Sequence, residues 1–136
     1  DEEMVRKYVL RALDFPIRED KDRCIYFRRD GIAYCRHVSE IYYLEISRRR
    51  ILVHCRDEVL EIPYKTSEEI MKELDSPEFV KCIRHFIVNK RHIDLIDYTR
   101  RYIKMRNLDD LIEIGATMKK RLRVELENES GGLYRI

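Results

Sequence analysis

The sequence predicts a mainly β domain, built from antiparallel sheets of short strands with a few short helices. Three observations carry that expectation. From Cys24 onward, apolar and polar residues alternate with a period of two in short runs. The runs are separated by turn-forming pairs such as Asp30-Gly31 and Asp57-Glu58. Only three stretches carry apolar residues at spacings of three and four, one before the strands, one among them and one after. A chain of 136 residues buries about two thirds of its unfolded surface, so one core needs no disulfide staples.

The elements follow in order. Residues 2–13 place Met4, Val5, Tyr8, Val9 and Ala12 on one helical stripe, with Asp1, Glu2 and Glu3 at the positive N-terminal end. Pro16 and the charged run 18–23 stop it, so residues 1–22 read as an N-terminal helix and linker. Residues 24–29 and 32–36 form a hairpin, because Asp30-Gly31 tolerates the positive φ of a tight turn. Residues 41–46, 51–55 and 59–62 are three further strands, the first two joined by Ser47-Arg48-Arg49-Arg50 and the last ended by Pro63. Thr66 and Glu69 form a capping box for a short helix carrying Ile70, Met71 and Leu74.

The segment 79–89 threads Lys81, Arg84 and His85 between Phe79, Phe86, Ile87 and Val88. Its apolar residues should pin it to a core while the cations point outward. Residues 85–89 are too short and apolar to assign as helix or strand by periodicity. Three more strands are expected over residues 93–98, 102–106 and 111–114, the last ended by Gly115. Thr117 is placed to cap a terminal helix bearing Met118, Leu122, Val124 and Leu126, to meet a phosphate, or both. The domain is thus expected over residues 23–126, with 127–136 as a flexible tail around Gly131-Gly132.

Net charge is only +2, but it is unevenly spread. Residues 79–124 hold 12 Lys/Arg against 5 Asp/Glu, whereas residues 1–78 hold 15 against 18. A basic excess confined to a third of the chain suits one face that meets a polyanion. Cys24, Cys35, Cys55 and Cys82 are widely spaced, and no leader or apolar spanning stretch stands out, so a reducing cytoplasm and no membrane are expected.

Phosphates reward Lys and Arg through charge and counterion release, and base edges reward planar donors such as Arg to guanine. Arg84, flanked by two phenylalanines, suits the second task. Arg48, Arg49 and Arg50 crowd three like charges into one turn, which an anion would relieve. Lys90, Arg91, Arg100, Arg101, Lys119, Lys120, Arg121 and Arg123 suit phosphate better than bases. Asn89, closing a turn, suits backbone hydrogen bonding better than adenine.

No cofactor, metal site or enzymatic activity is expected. Cys35 and His37 share a strand face, but His54 and Cys55 point oppositely and no Cys-x-x-Cys occurs. Cys82 and His85 lack an oxyanion loop and a third orienting residue. The four glycines are scattered rather than grouped in a phosphate loop.

Residues 23–126 resemble the LytTR domain, the DNA-binding effector module of a class of bacterial response regulators. The resemblance is carried by Phe79, Lys81, Cys82, Ile83, Arg84, His85, Phe86, Ile87, Val88, Asn89 and Ile93, and by Ile41-Tyr42-Tyr43-Leu44-Glu45 through Arg49 to His54. It implies double-stranded DNA as partner, with Arg49, Arg84 and Thr117 reaching bases. The basic residues Arg48, Arg50, Lys81, His85, Lys90, Arg91, Lys119 and Lys120 are then expected on the backbone. It also implies transcriptional regulation within a two-component system, a receiver domain beyond residues 1–22, and a dimer on two half-sites. Ile83, His85 and Thr117 differ from the family's usual residues. That leaves a second reading, an interaction module for protein or single-stranded nucleic acid using Tyr42, Tyr98 and Tyr102 as exposed contacts.

Overall fold

The computed structural model describes residues 23–127. The N-terminal helix expected over residues 2–13, its linker and the tail at 128–136 lie outside the described residues. Among the described residues, ten strands form three antiparallel sheets. β1 (Cys24–Arg29) and β2 (Ile32–His37) make a two-stranded ribbon, turned at Asp30 (φ 53°) and Gly31 (φ 79°), both left-handed as a tight hairpin requires.

The central sheet has five strands in the order β5-β4-β3-β7-β6. They are β3 (Ile41–Ile46), β4 (Arg50–Cys55), β5 (Val59–Pro63), β6 (Phe79–Ile83) and β7 (Phe86–Asn89). The segment that periodicity left unassigned is therefore a hairpin, with Ile83 opposite Phe86 and Arg84-His85 as its turn. His85 sits at φ 68°, an uncommon conformation for a residue with a Cβ. β8 (Ile93–Asp97), β9 (Tyr102–Met105) and β10 (Leu111–Glu113) form the third sheet, in the order β10-β9-β8.

Helix α1 (Ser67–Leu74) starts at the expected capping box: the Thr66 hydroxyl accepts from the Glu69 amide at 3.2 Å and the Glu69 carboxylate accepts from the Thr66 amide at 2.9 Å. Asp75 closes the helix in the left-handed conformation, φ 43°. Helix α2 (Lys119–Leu126) follows a 3-10 turn, Ala116–Met118. Thr117 therefore does not cap it. Met118 occupies the N-cap and no side chain bonds there, because the 3-10 turn places Thr117 one residue too early.

Two cores flank the central sheet. On one side Ile41, Leu44, Ile51, Val53, Phe79 and Ile87 pack with Phe27 of the ribbon and Ile70 and Leu74 of α1. On the other, Tyr42, Tyr43, Val80 and Val88 pack with Ile103, Met105 and Ile112 of the third sheet and Leu122 and Leu126 of α2. Successive residues of β6 and β7, such as Phe79 and Val80 or Ile87 and Val88, thus point into different cores. This makes β3 and β7 buried walls rather than half-exposed strands, which explains their nearly unbroken apolar runs. Val124, expected on the apolar side of α2, is 62% exposed, since two residues along a helix turn away from Leu122.

Asn89 plays the structural part expected of it. It is 1% exposed, donates from Nδ2 to the Ile41 carbonyl at 2.9 Å, and accepts from the Arg91 amide at 3.0 Å. No described helix is long and apolar enough to cross a membrane.

Candidate nucleic-acid interface

Strand direction decides which side chains meet. β3 and β6 end, and β4 and β7 begin, at the same end of the central sheet, so the turns 47–49 and 84–85 lie side by side. The Ile46 amide donates to the His85 carbonyl at 2.8 Å and ties one turn to the other. With strands spaced about 4.8 Å apart, the two turn centres stand about 10 Å from each other. That is close to the ~12 Å width of a DNA major groove.

A concavity of about 680 Å³ opens at this end. Lys81, Arg84 and His85 of the β6–β7 hairpin form one wall, and Thr117, Met118 and Arg121 another. Phe79, Phe86, Ile46 and Met71 contribute an apolar floor. Lys81, Arg84 and His85 are exposed, as expected, while Phe79 is 3% and Ile87 0% exposed. Lys81 pairs with Glu68 at 3.5 Å, both on the surface. Among the described residues no carboxylate pairs with Arg84, Arg121, Arg48 or Arg49.

The turn at Arg48 and Arg49 lines its own shallow hollow of about 500 Å³, shared with Ser47, Arg50 and Glu61. Ser47 holds the turn through a backbone bond to Arg50 and its hydroxyl at 2.9 Å to the Arg50 carbonyl. Arg50 opens β4 and reaches Glu61 at 3.2 Å, so its charge is partly answered. Lys119 is half-buried and Lys120 exposed, both between the lining residues Met118 and Arg121.

Two cations fall elsewhere. Lys90 and Arg91 follow β7 at the opposite end of the sheet. Lys90 is 7% exposed, which corrects the reading of it as an exposed phosphate ligand: the 3-10 turn Lys90–His92 folds it inward. Arg91 is exposed and stands 4.0 Å from Glu78. The tyrosines named for an alternative contact surface are also covered. Tyr42 is 6% exposed and stacks on His92 with ring centres 3.9 Å apart. Tyr98 lies under the Arg123 guanidinium, 4.2 Å from the ring centre, and Tyr102 is half-buried.

Sequence reasoning included Arg121 in a basic run suited to phosphate, but it did not single out Tyr64 or Glu125, which also line the concavity. Tyr64, 48% exposed, comes from the β5–α1 connection, and Arg121 from the first turn of α2. Arg121 stood within a basic run whose inward and outward members only the helix phase separates: Leu122 is buried, Arg121 lines the concavity, and Arg123 covers Tyr98. Among the described residues no three His, Cys, Asp or Glu side chains are grouped to hold a metal ion. Cys55 is buried, and its thiol is pushed up to about 11 by that burial.

The family model described as the LytTr DNA-binding domain matches residues 34–127. Among solved structures, the chain is similar to the LytTr DNA-binding domain of a protein described as a methyl-accepting/DNA response regulator from Bacillus cereus. The TM-score is 0.61 at 22% identity, covering 76% of this chain and 95% of that one. At that identity the likeness speaks for the fold. No curated protein matches the chain.

Proposed function

Because the chain belongs to the LytTr DNA-binding domain family, we propose that its basic end reads double-stranded DNA sequence-specifically, as the output module of a two-component transcriptional regulator. One observation supports this above the others: Lys81, Arg84, His85, Thr117 and Arg121 share a single concavity, and a backbone bond joins its hairpin to the Arg48-Arg49 turn. A sheet holds the turns rigidly, so their side chains lose little freedom on binding.

Within this reading, Arg84, Arg49 and Thr117 face base edges. Arg84 is unpaired among the described residues and projects from a two-residue turn, so its planar fork is free for a guanine. Lys81, His85, Arg48, Arg50, Lys119 and Lys120 hold phosphates, with Arg121 added from the concavity. Glu68 releases Lys81 when a phosphate takes its place. The domain spans residues 23–126, is preceded by a receiver domain through residues 1–22, occupies two half-sites as a dimer, and works in the cytoplasm.

Duplex titration by fluorescence anisotropy tests the assignment. Arg84→Ala should flatten discrimination among duplexes by about 1–3 kcal/mol at one base position. Lys119→Ala should weaken all duplexes alike and lower the salt slope by about one. Absence of duplex binding at low salt, or stronger binding to single strands of equal charge, would remove the reading.

A further inference from the structure

Part of the concavity at the basic end has a lining that phosphate does not explain. Lys81, Arg84 and Arg121 face a single lining carboxylate, Glu125, so the occupant that complements this charge is an anion. Between the cations, however, the surface is apolar. Met71 of α1, Phe86 of β7 and Met118 at the start of α2 line the concavity and are only partly buried. Phe79 and Val80 complete the lining at 3% and 4% exposure.

The two methionines reach it from opposite sides. Met71 packs against the core on one side of the central sheet and Met118 against the core on the other, so the apolar strip crosses the end of the sheet. Apolar surface open to water is stabilised only when a ligand covers it. The ligand must then be anionic and still carry an apolar group. In the major groove, base edges offer hydrogen-bond donors, acceptors and one apolar group, the C5-methyl of thymine. 5-Methylcytosine carries the same group at the same ring position. Methionine, unbranched and polarisable, shapes itself readily around a methyl group.

We propose that this strip seats the C5-methyl group of a pyrimidine, with Met71 and Met118 as the residues that select it. The inference rests on the reading of the basic end as a duplex-binding surface. To that reading it adds a second base preference, for a methylated pyrimidine beside the guanine assigned to Arg84.

Duplexes that differ by one methyl group test it. The probe is the duplex that the native chain enriches from a random pool, with deoxyuridine replacing thymine one position at a time, and 5-methylcytosine replacing cytosine in a second set. Anisotropy titration should show about fourfold weaker binding at one or two deoxyuridine positions, or about fourfold tighter binding at a 5-methylcytosine, the size expected for burying one methyl group. The first result assigns thymine as the source and the second 5-methylcytosine. Met71→Gln or Met118→Gln should bring that ratio to about one, whereas Met71→Leu, which stays apolar, should keep it. Where a glutamine variant melts below the assay temperature, methyl spectra of the native chain labelled with carbon-13 methionine give the same reading. The Met71 and Met118 signals should then differ between the methylated and unmethylated complexes, and that of fully buried Met105 should not. Duplex binding with a ratio of one at every position would overturn the inference and leave the duplex reading standing. A methyl effect that both glutamine variants retain would overturn it too, by assigning the effect to DNA shape. No duplex binding at all would remove the reading and the inference together.

Discussion

At the scale of single residues, Asn89 and His92 are held by named partners, and that makes both testable. Asn89→Ala strands the Ile41 carbonyl and the Arg91 amide, for about 1–3 kcal/mol, read as a lower denaturant midpoint with an unchanged slope. His92 Nε2 lies 2.5 Å from the Ser39 carbonyl, so that nitrogen carries the proton and donates. Burial lowers the pKa of His92, with the Ser39 bond opposing and Arg91 and Arg106 adding repulsion. The unfolded chain then binds a proton that the folded chain refuses. Stability is whole above the ordinary histidine pKa of about 6.5 and is lost as pH falls below it, toward the depressed folded value. His92→Phe, which keeps a ring against Tyr42, should flatten that slope between about pH 5 and 7 in chemical denaturation. The role of Asn89 was legible in the sequence, because an asparagine at a turn serves the backbone first. The burial of Lys90 and Tyr42 was not: a 3-10 turn and a register shift in β3 between Ile41 and Tyr43 reverse which way their side chains face.

At the scale of elements, local chemistry determined most of what was readable. Alternation marked the strands, Asp30-Gly31 its hairpin, and the Thr66–Glu69 pair the start of α1. Thr66→Ala removes the side-chain acceptor for the Glu69 amide and should cost about 1 kcal/mol in thermal unfolding. Because α1 places Ser67 and Met71 at the basic concavity, the same change should also loosen that wall, seen as faster amide exchange in residues 67–71. The β6–β7 hairpin escaped prediction for a physical reason. Its turn uses Arg84 and a left-handed His85 instead of glycine or asparagine, so no turn signal separates two apolar runs that each serve both cores. That departure also puts two basic side chains at the tip, where a glycine turn would offer none.

At the scale of the whole molecule, a five-stranded wall is covered on both faces, and its uncovered end carries the cations. The segmental charge excess pointed to residues 79–124, yet the Arg48-Arg49 turn lies outside them and joins only because β3 pairs with β7. Long-range pairing of that kind leaves no trace in local composition, and it is also why Tyr64 was missed. The central claim is that this end reads base sequence, and selection of bound duplexes from a random pool tests it most directly. The account predicts enrichment of one motif by the native chain, and loss of preference at one position of that motif with Arg84→Ala. Recovery of a pool no different from the input, or an identical motif from both proteins, would contradict it.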